Sequence, residues 1–283
     1  MKKILIFSAL LLFVSLSIKA QSLAERDSPN HISNPLTVVS SSISSLPSNG
    51  AYYEDLYKPK KNLLKLNLTA LPLRNYSVQF ERVLGKRVSI AVAYRNMPEG
   101  TLPMKDFVIE QIDSEDQEAV DIINSFTLSN YAITPEIRFY MGKKGYGRGF
   151  YIAPFFRNAN YAGGNLLFNY NDDNDIEQSI TLSGDIKANT VGLLLGAQWS
   201  LSKFFVLDWW IIGPHYGKSN GELIGNSSRT LTPNEQEEIR QNLEDFDIPM
   251  VKKTVSVSAN GAKMVVDGPW AGVRAGISLG IKF

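Results

Sequence analysis

Nine ionisable side chains fall on the polar positions of segments that alternate apolar and polar residues: Lys65, Glu81, Arg87, Glu136, Arg138, Arg157, Asp208, Arg274 and Lys282. If those positions share an enclosed interior, the charges must pair, because breaking a buried pair by removing one partner costs about 3–5 kcal/mol. Glu81 is expected to lie between Lys65 and Arg87 and to bind both. Intramembrane charges are functional hypotheses by default. In a narrow interior that side chains can fill, salt bridges closing the core are the preferred reading. Cations outnumber anions in this set, so any passage that conducted would favour anions; no conducting pore is expected.

Catalytic chemistry has less to work with. The two histidines are His31 and His215, and Ser219 follows His215 by four residues. A serine nucleophile needs a base within reach and a third group orienting that base. No acidic partner is placed by the pattern, so His215 reads as a rim residue and no enzyme activity is expected. The oxygen-rich run Tyr170–Asp175 lacks the spacing and downstream glutamate of a calcium loop, and reads as a solvated acidic loop. No metal and no cofactor are expected.

The elements that position the charges begin with the chain's export. Lys2 and Lys3 precede an apolar run from Ile4 to Val14, and Ser15, Ser17 and Ala20 supply small residues before Gln21. This is the pattern of a secretory signal at 1–20, too short for a spanning helix. The stretch 21–60 is serine-rich and reads as a periplasmic leader, partly disordered. Residues 61–283 then form one domain. The chain has no cysteine, hence no disulfide and no lipid-modified cysteine anchor, and its formal net charge of +1 argues against a nucleic-acid partner.

Period-two alternation runs through that domain. The clearest case is the C-terminus, where Ala271, Val273, Ala275, Ile277, Leu279, Ile281 and Phe283 alternate with glycine, serine, Arg274 and Lys282. Successive side chains of a strand point to opposite faces, so such a strand separates two environments. Equivalent segments start near Leu64, Tyr76, Arg87, Ile133, Phe150, Val191 and Leu207. Eight strands of roughly ten residues match what a tilted bilayer crossing requires. The predicted fold is therefore all-β, an eight-stranded antiparallel transmembrane β-barrel, with a soluble β-sandwich as the rival.

Three features favour the barrel. Tight links at 84–86, 142–148 and 200–203 alternate with long ones at 96–130, 161–187 and 216–267, as periplasmic turns alternate with extracellular loops; only 72–75 breaks the rule. Aromatics on the apolar face fall at two levels, as membrane-interface girdles do: Tyr76, Tyr94 and Tyr131 at outer strand ends, and Phe139, Phe150, Trp199, Phe205 and Phe283 at inner ends. The terminal Phe283 resembles the signal read by the barrel assembly machinery. Within the long loops, Thr232-Pro233-Asn234-Glu235 predicts a capped helix over 233–245 with the stripe Ile239, Leu243, Phe246. This helix should fold over the barrel mouth, with a partner-binding helix as the alternative. Asn260-Gly261 predicts a hairpin between 254–258 and 263–266, with strands seven and eight projecting beyond the membrane beside it, and Ser114–Gln117 predicts a second helix reaching Ile123.

The runs Lys65-Leu66-Asn67-Leu68 and Tyr76 to Arg82, with the ending from Asp247-Ile248-Pro249 to Gly268-Pro269-Trp270-Ala271-Gly272, resemble an uncharacterised outer-membrane β-barrel family of the Bacteroidetes. The likeness spans Asn62 to Phe283 in strand texture. At fold level the chain also resembles small OmpA/OmpX-type barrels. These likenesses imply an outer-membrane location in a Gram-negative envelope, with lipid and the assembly machinery as partners. They also imply envelope integrity, or adhesion to an extracellular protein or glycan through loops. The alternatives are a lipid-modifying hydrolase using His215 and a narrow anion-preferring pore.

Overall fold

A computed structural model describes residues 60–110, 117–143, 145–173, 176–245 and 250–283. The signal segment, the leader with His31, the start of the Ser114 helix, and Phe246 to Pro249 lie outside the described residues.

The described chain is an all-β antiparallel sheet of nine strands: β1 Asn62–Asn67, β2 Tyr76–Val83, β3 Val88–Thr101, β4 Thr127–Tyr140, β5 Gly149–Asn171, β6 Glu177–Ser200, β7 Phe205–Asn226, β8 Lys252–Ser258 and β9 Gly261–Lys282. Hydrogen bonding runs β1-β2-β3-β4-β5-β6-β7-β9, and β9 pairs back onto β1, so eight strands close in a ring while β8 lies outside it on β9. Closure leaves the ring no free edge, which an open sheet this long would have to protect. The two chain ends of the ring are joined by reciprocal bonds, Asn62 N to Phe283 O at 3.1 Å and Phe283 N to Asn62 O at 3.0 Å.

The tight links all sit at the end where Asn62 and Phe283 meet. The link between β4 and β5 is tucked inward: Gly145 and Gly147 are buried, both with positive φ that glycine adopts without strain. Tyr146 packs there on Leu63, Val83 and Val206.

The opposite end meets expectation in part: strands seven and eight, β7 and β9, project past the ring with the β8 hairpin beside them, but β5 and β6 project as well. The strands are not uniform: β1 has 6 residues and β6 has 24. Most of the supposed loop at 161–187 is strand, and so are both ends of the one at 216–267, because the ladder β5–β6–β7–β9 continues past the ring as an extension. In β5 a bulge between Gly163 and Leu166 shifts the side-chain phase by one and interrupts the alternation. Even-numbered positions of β6 and β9 point inward in the ring and keep that phase outward, so Ile180, Leu182, Ala262 and Met264 are buried on the continuing interior face.

Two short helices, α1 Lys105–Ile109 and α2 Gln117–Ser125, lie between β3 and β4; α2 ends two residues beyond the predicted Ile123. The helix α3, Pro233–Glu244, packs on the interior face of the extension. Its predicted capping box forms: Glu235 N donates to Thr232 Oγ1 at 3.3 Å, and Thr232 N donates to Glu235 Oε2 at 2.9 Å. Ile239 and Leu243 are 0% and 2% exposed and join Tyr170, Ile180, Leu182, Leu231 and Ala262 in a second apolar core. The predicted hairpin turn at Asn260 also forms, joining β8 to β9.

Candidate functional site: the charged ring interior

Polarity in the ring is inverted. Leu64, Val78, Ile90, Val92, Ile137 and Leu195 are exposed on the outer face, while Lys65, Glu81, Glu136, Arg138 and Asp208 are buried inside. All eight girdle aromatics named from sequence (Tyr76, Tyr94, Tyr131, Phe139, Phe150, Trp199, Phe205 and Phe283) are exposed, with Trp199 stacked on Trp209. Tyr76 and Tyr131 share one level, both facing Asn96 across the ladder.

Inside, one network joins strands from around the whole ring. Lys65 Nζ donates to Glu81 Oε2 at 2.5 Å, Asp208 Oδ2 at 2.6 Å and Gln198 Oε1 at 2.8 Å, using all three of its protons. Arg138 shares both of those carboxylate oxygens and reaches two further acceptors: Nη1 to Asp208 Oδ2 at 2.7 Å and to Glu81 Oε2 at 3.2 Å, Nε to Glu136 Oε1 at 2.6 Å, and Nη2 to Gln79 Oε1 at 2.8 Å. The carboxylates are saturated by neutral donors. Tyr140 and Ser89 donate to Glu81 Oε1 at 2.7 and 2.6 Å, and Tyr151 donates to Asp208 Oδ1 at 2.8 Å. Arg274 Nη1 completes the set on Glu136 Oε2 at 3.0 Å, with its guanidinium over the faces of Phe155 and Trp210. Three cations (Lys65, Arg138, Arg274) thus meet three carboxylates (Glu81, Glu136, Asp208), and the network is neutral. Buried charge is tolerable only when paired and hydrogen-bonded in this way.

Gln198 ties the network to the inward-folded β4–β5 link by donating from Nε2 to Gly147 O at 2.7 Å. Packed side chains and this link therefore fill the interior toward the terminal end.

The sequence-predicted set divides. Lys65, Glu81, Glu136, Arg138, Asp208 and Arg274 come together. Arg87 does not: it is exposed and makes no ion pair among the described residues. The reason is register. The ladder of β3 starts at Val88, so Arg87 sits in the turn, where a long cationic side chain reaches water, and Ser89 takes the place beside Glu81. Arg138 replaces Arg87 as the second cation on Glu81. Lys282 is half-buried and donates to Ser200 Oγ rather than to a carboxylate. Arg157 is buried but apart from the network, with Nη1 on Thr134 Oγ1 at 3.3 Å.

His215 is corrected as well. It is not a rim residue but is buried inside the ring, 9% exposed, edge-on to Phe155. A β-bulge in β7 between Trp210 and Gly213 shifts the side-chain phase by one, so Asp208 and His215 both point inward although their numbers differ in parity. Ser219 Oγ donates to Gly268 O at 3.3 Å. Alternation alone could not locate the bulge.

Sequence reasoning also missed Arg95. It follows the last residue assigned to its strand, yet β3 runs on to Thr101, and Arg95 reaches inward to Asn130 Oδ1 at 3.1–3.2 Å. Outside the ring, α3 carries a surface network in which Arg240 and Gln241 hydrogen-bond Glu237 and hold its carboxyl below the usual carboxylate range.

No family model matches the chain, and neither a curated protein nor a solved structure is found that resembles it.

Proposed function

We propose that the chain is a non-enzymatic outer-membrane β-barrel protein. On this reading the closed ring spans the bilayer and the strand extension with α3 stands outside the cell, where it contacts an extracellular protein or glycan or supports the envelope. One observation carries the reading: a closed sheet exposes large apolar side chains around its outside and buries a neutral, hydrogen-bonded ion network within. Monomeric soluble proteins rarely expose contiguous apolar surface on this scale. In lipid, the same polarity is required, because closure satisfies every backbone group and the apolar face meets hydrocarbon.

The dimensions agree. From Tyr131 to Met141 is ten residue steps, about 33 Å along a strand, or about 25 Å when tilted by roughly 40°, the height of an outer-membrane apolar band. Filling of the interior argues against conduction.

Trypsin applied to intact cells tests the reading. Arg229 sits exposed in the extension and Lys143 exposed in the opposite β4–β5 link. Cleavage is expected at Arg229 on intact cells and at Lys143 only after the envelope is opened. An adhesive role further predicts that clipped cells lose attachment to protein- or glycan-coated surfaces while envelope permeability is unchanged. Cleavage at Lys143 on intact cells would invert the orientation. Protection of both sites would remove the surface assignment.

A further inference from the structure

The ion network balances only the half of the interior nearer the chain ends. Beyond it, toward the extension, stand Arg95 on β3, Arg157 on β5 and His215 on β7. Neither arginine makes an ion pair with a carboxylate among the described residues. Their contacts are neutral: Arg95 to Asn130 Oδ1 at 3.1–3.2 Å, and Arg157 to Thr134 Oγ1 at 3.3 Å and to the Tyr161 hydroxyl. The guanidiniums of Arg95, Arg157 and Arg274 lie within electrostatic range of one another and of His215. The acidic side of Arg274 is already taken by Glu136. An enclosed region therefore holds two positive charges with no protein counter-charge, an arrangement strongly unfavourable in a low-dielectric interior.

Unused hydrogen-bonding atoms lie in the same place. Thr190 Oγ1 and His215 Nδ1 are buried without a partner. Thr190 is the ladder partner of Arg157, and His215 pairs with Gly192, the next inward position along β6. Access is graded: Arg95 and Tyr161 are half-buried, whereas Arg157, His215 and Arg274 are buried beneath them. The Tyr161 ring, whose hydroxyl meets Arg157, packs on Trp270 with centroids 5.0 Å apart.

We propose that this outer half of the ring interior binds a small oxyanion group, a phosphate or a carboxylate, between Arg95 and Arg157. Two guanidinium forks offer paired N–H donors to two oxygens of one anion, the geometry that favours arginine over lysine for such groups. Thr190 and His215 supply the remaining hydrogen bonds from below. The ligand enters from the extension side and stops at the ion network, so the site is a terminal cup rather than a channel. This inference needs only the closed ring, and it stands or falls separately from the membrane reading.

The test uses the purified full-length protein in detergent, unfolded thermally in a zwitterionic buffer at constant ionic strength. Inorganic phosphate, acetate and chloride are titrated in turn. A ligand that binds only the folded state raises Tm in a dose-dependent way. The expected result is a rise with phosphate or acetate that exceeds any rise with chloride, and the stronger of the two identifies the class. Arg157→Met and Arg95→Met should each weaken that binding at least tenfold. Arg95 is half-buried, so its variant keeps the test readable if Arg157→Met does not fold, and calorimetric titration of the wild-type protein with phosphate and with acetate gives the same reading without a variant. The proposal is overturned if no oxyanion shifts Tm or gives binding heat, or if the shift persists unchanged in a folded variant.

Discussion

Arg138→Met is expected to destabilise the folded ring by about 3–5 kcal/mol, as removal of one member of a buried ion network does. Arg138 is 0% exposed and donates to Glu81, Glu136, Asp208, Gln79 and Gln198. Without it, Lys65 and Arg274 face three carboxylates, and one negative charge stays buried with no counter-charge. Methionine fills much of the volume, so the loss measures charge rather than cavity. Urea unfolding in detergent, followed by gel mobility with and without heating, provides the measurement. Arg87→Met, at the exposed turn, serves as the control and should change stability by less than about 0.5 kcal/mol. A loss below about 1 kcal/mol for Arg138→Met would mean that water, not protein, satisfies those carboxylates.

The second large effect concerns the outer face. Val92 lies midway along β3 between Val88, which pairs with the inner-level Phe139, and Asn96, which pairs with the outer-level Tyr76 and Tyr131. It is 50% exposed. If hydrocarbon covers it, Val92→Arg should cost about 2–4 kcal/mol in lipid vesicles, the cost of a cation at the bilayer midplane. If water covers it, the same change should be neutral within about 0.5 kcal/mol, since a half-exposed valine gives way to a solvated side chain. Moving the arginine to Tyr94 and then Asn96 should reduce the penalty stepwise, because cost falls toward the interface.

Much of this architecture was legible from strand periodicity. Alternation around Leu64, Tyr76, Ile133 and Ala271 assigned the inner and outer faces correctly because neither β1, β2, β4 nor the last part of β9 is bulged where its pattern was read. The α3 cap at Thr232 and the Asn260 turn were legible for a different reason: both are set by residues adjacent in sequence. Three things were not local. Partner choice inside the ring depends on register across eight strands, so Arg138 rather than Arg87 reaches Glu81. The bulge between Trp210 and Gly213 shifts phase without a sequence mark and carries His215 inward. The projection of β7 and β9 is legible beside the Asn260 turn, but that of β5 is not, because its bulge between Gly163 and Leu166 breaks the phase. The outer cationic pair was missed with it: Arg95 lies one residue past the apparent end of its strand, and Arg157 was grouped with a network it does not join.

The chain's lack of cysteine makes the central claim directly measurable. Single cysteines placed at Ile90, Val92 and Ile137 on the outer face of the ring, and at exposed Ser256 on β8, can be reacted with a water-soluble maleimide in protein folded into lipid vesicles. If the ring is embedded, Ser256→Cys labels readily whenever its side of the vesicle is reached, while Ile90→Cys, Val92→Cys and Ile137→Cys stay unlabelled until the protein is unfolded. Equal labelling of all four in intact vesicles would contradict the account, placing water where it puts lipid.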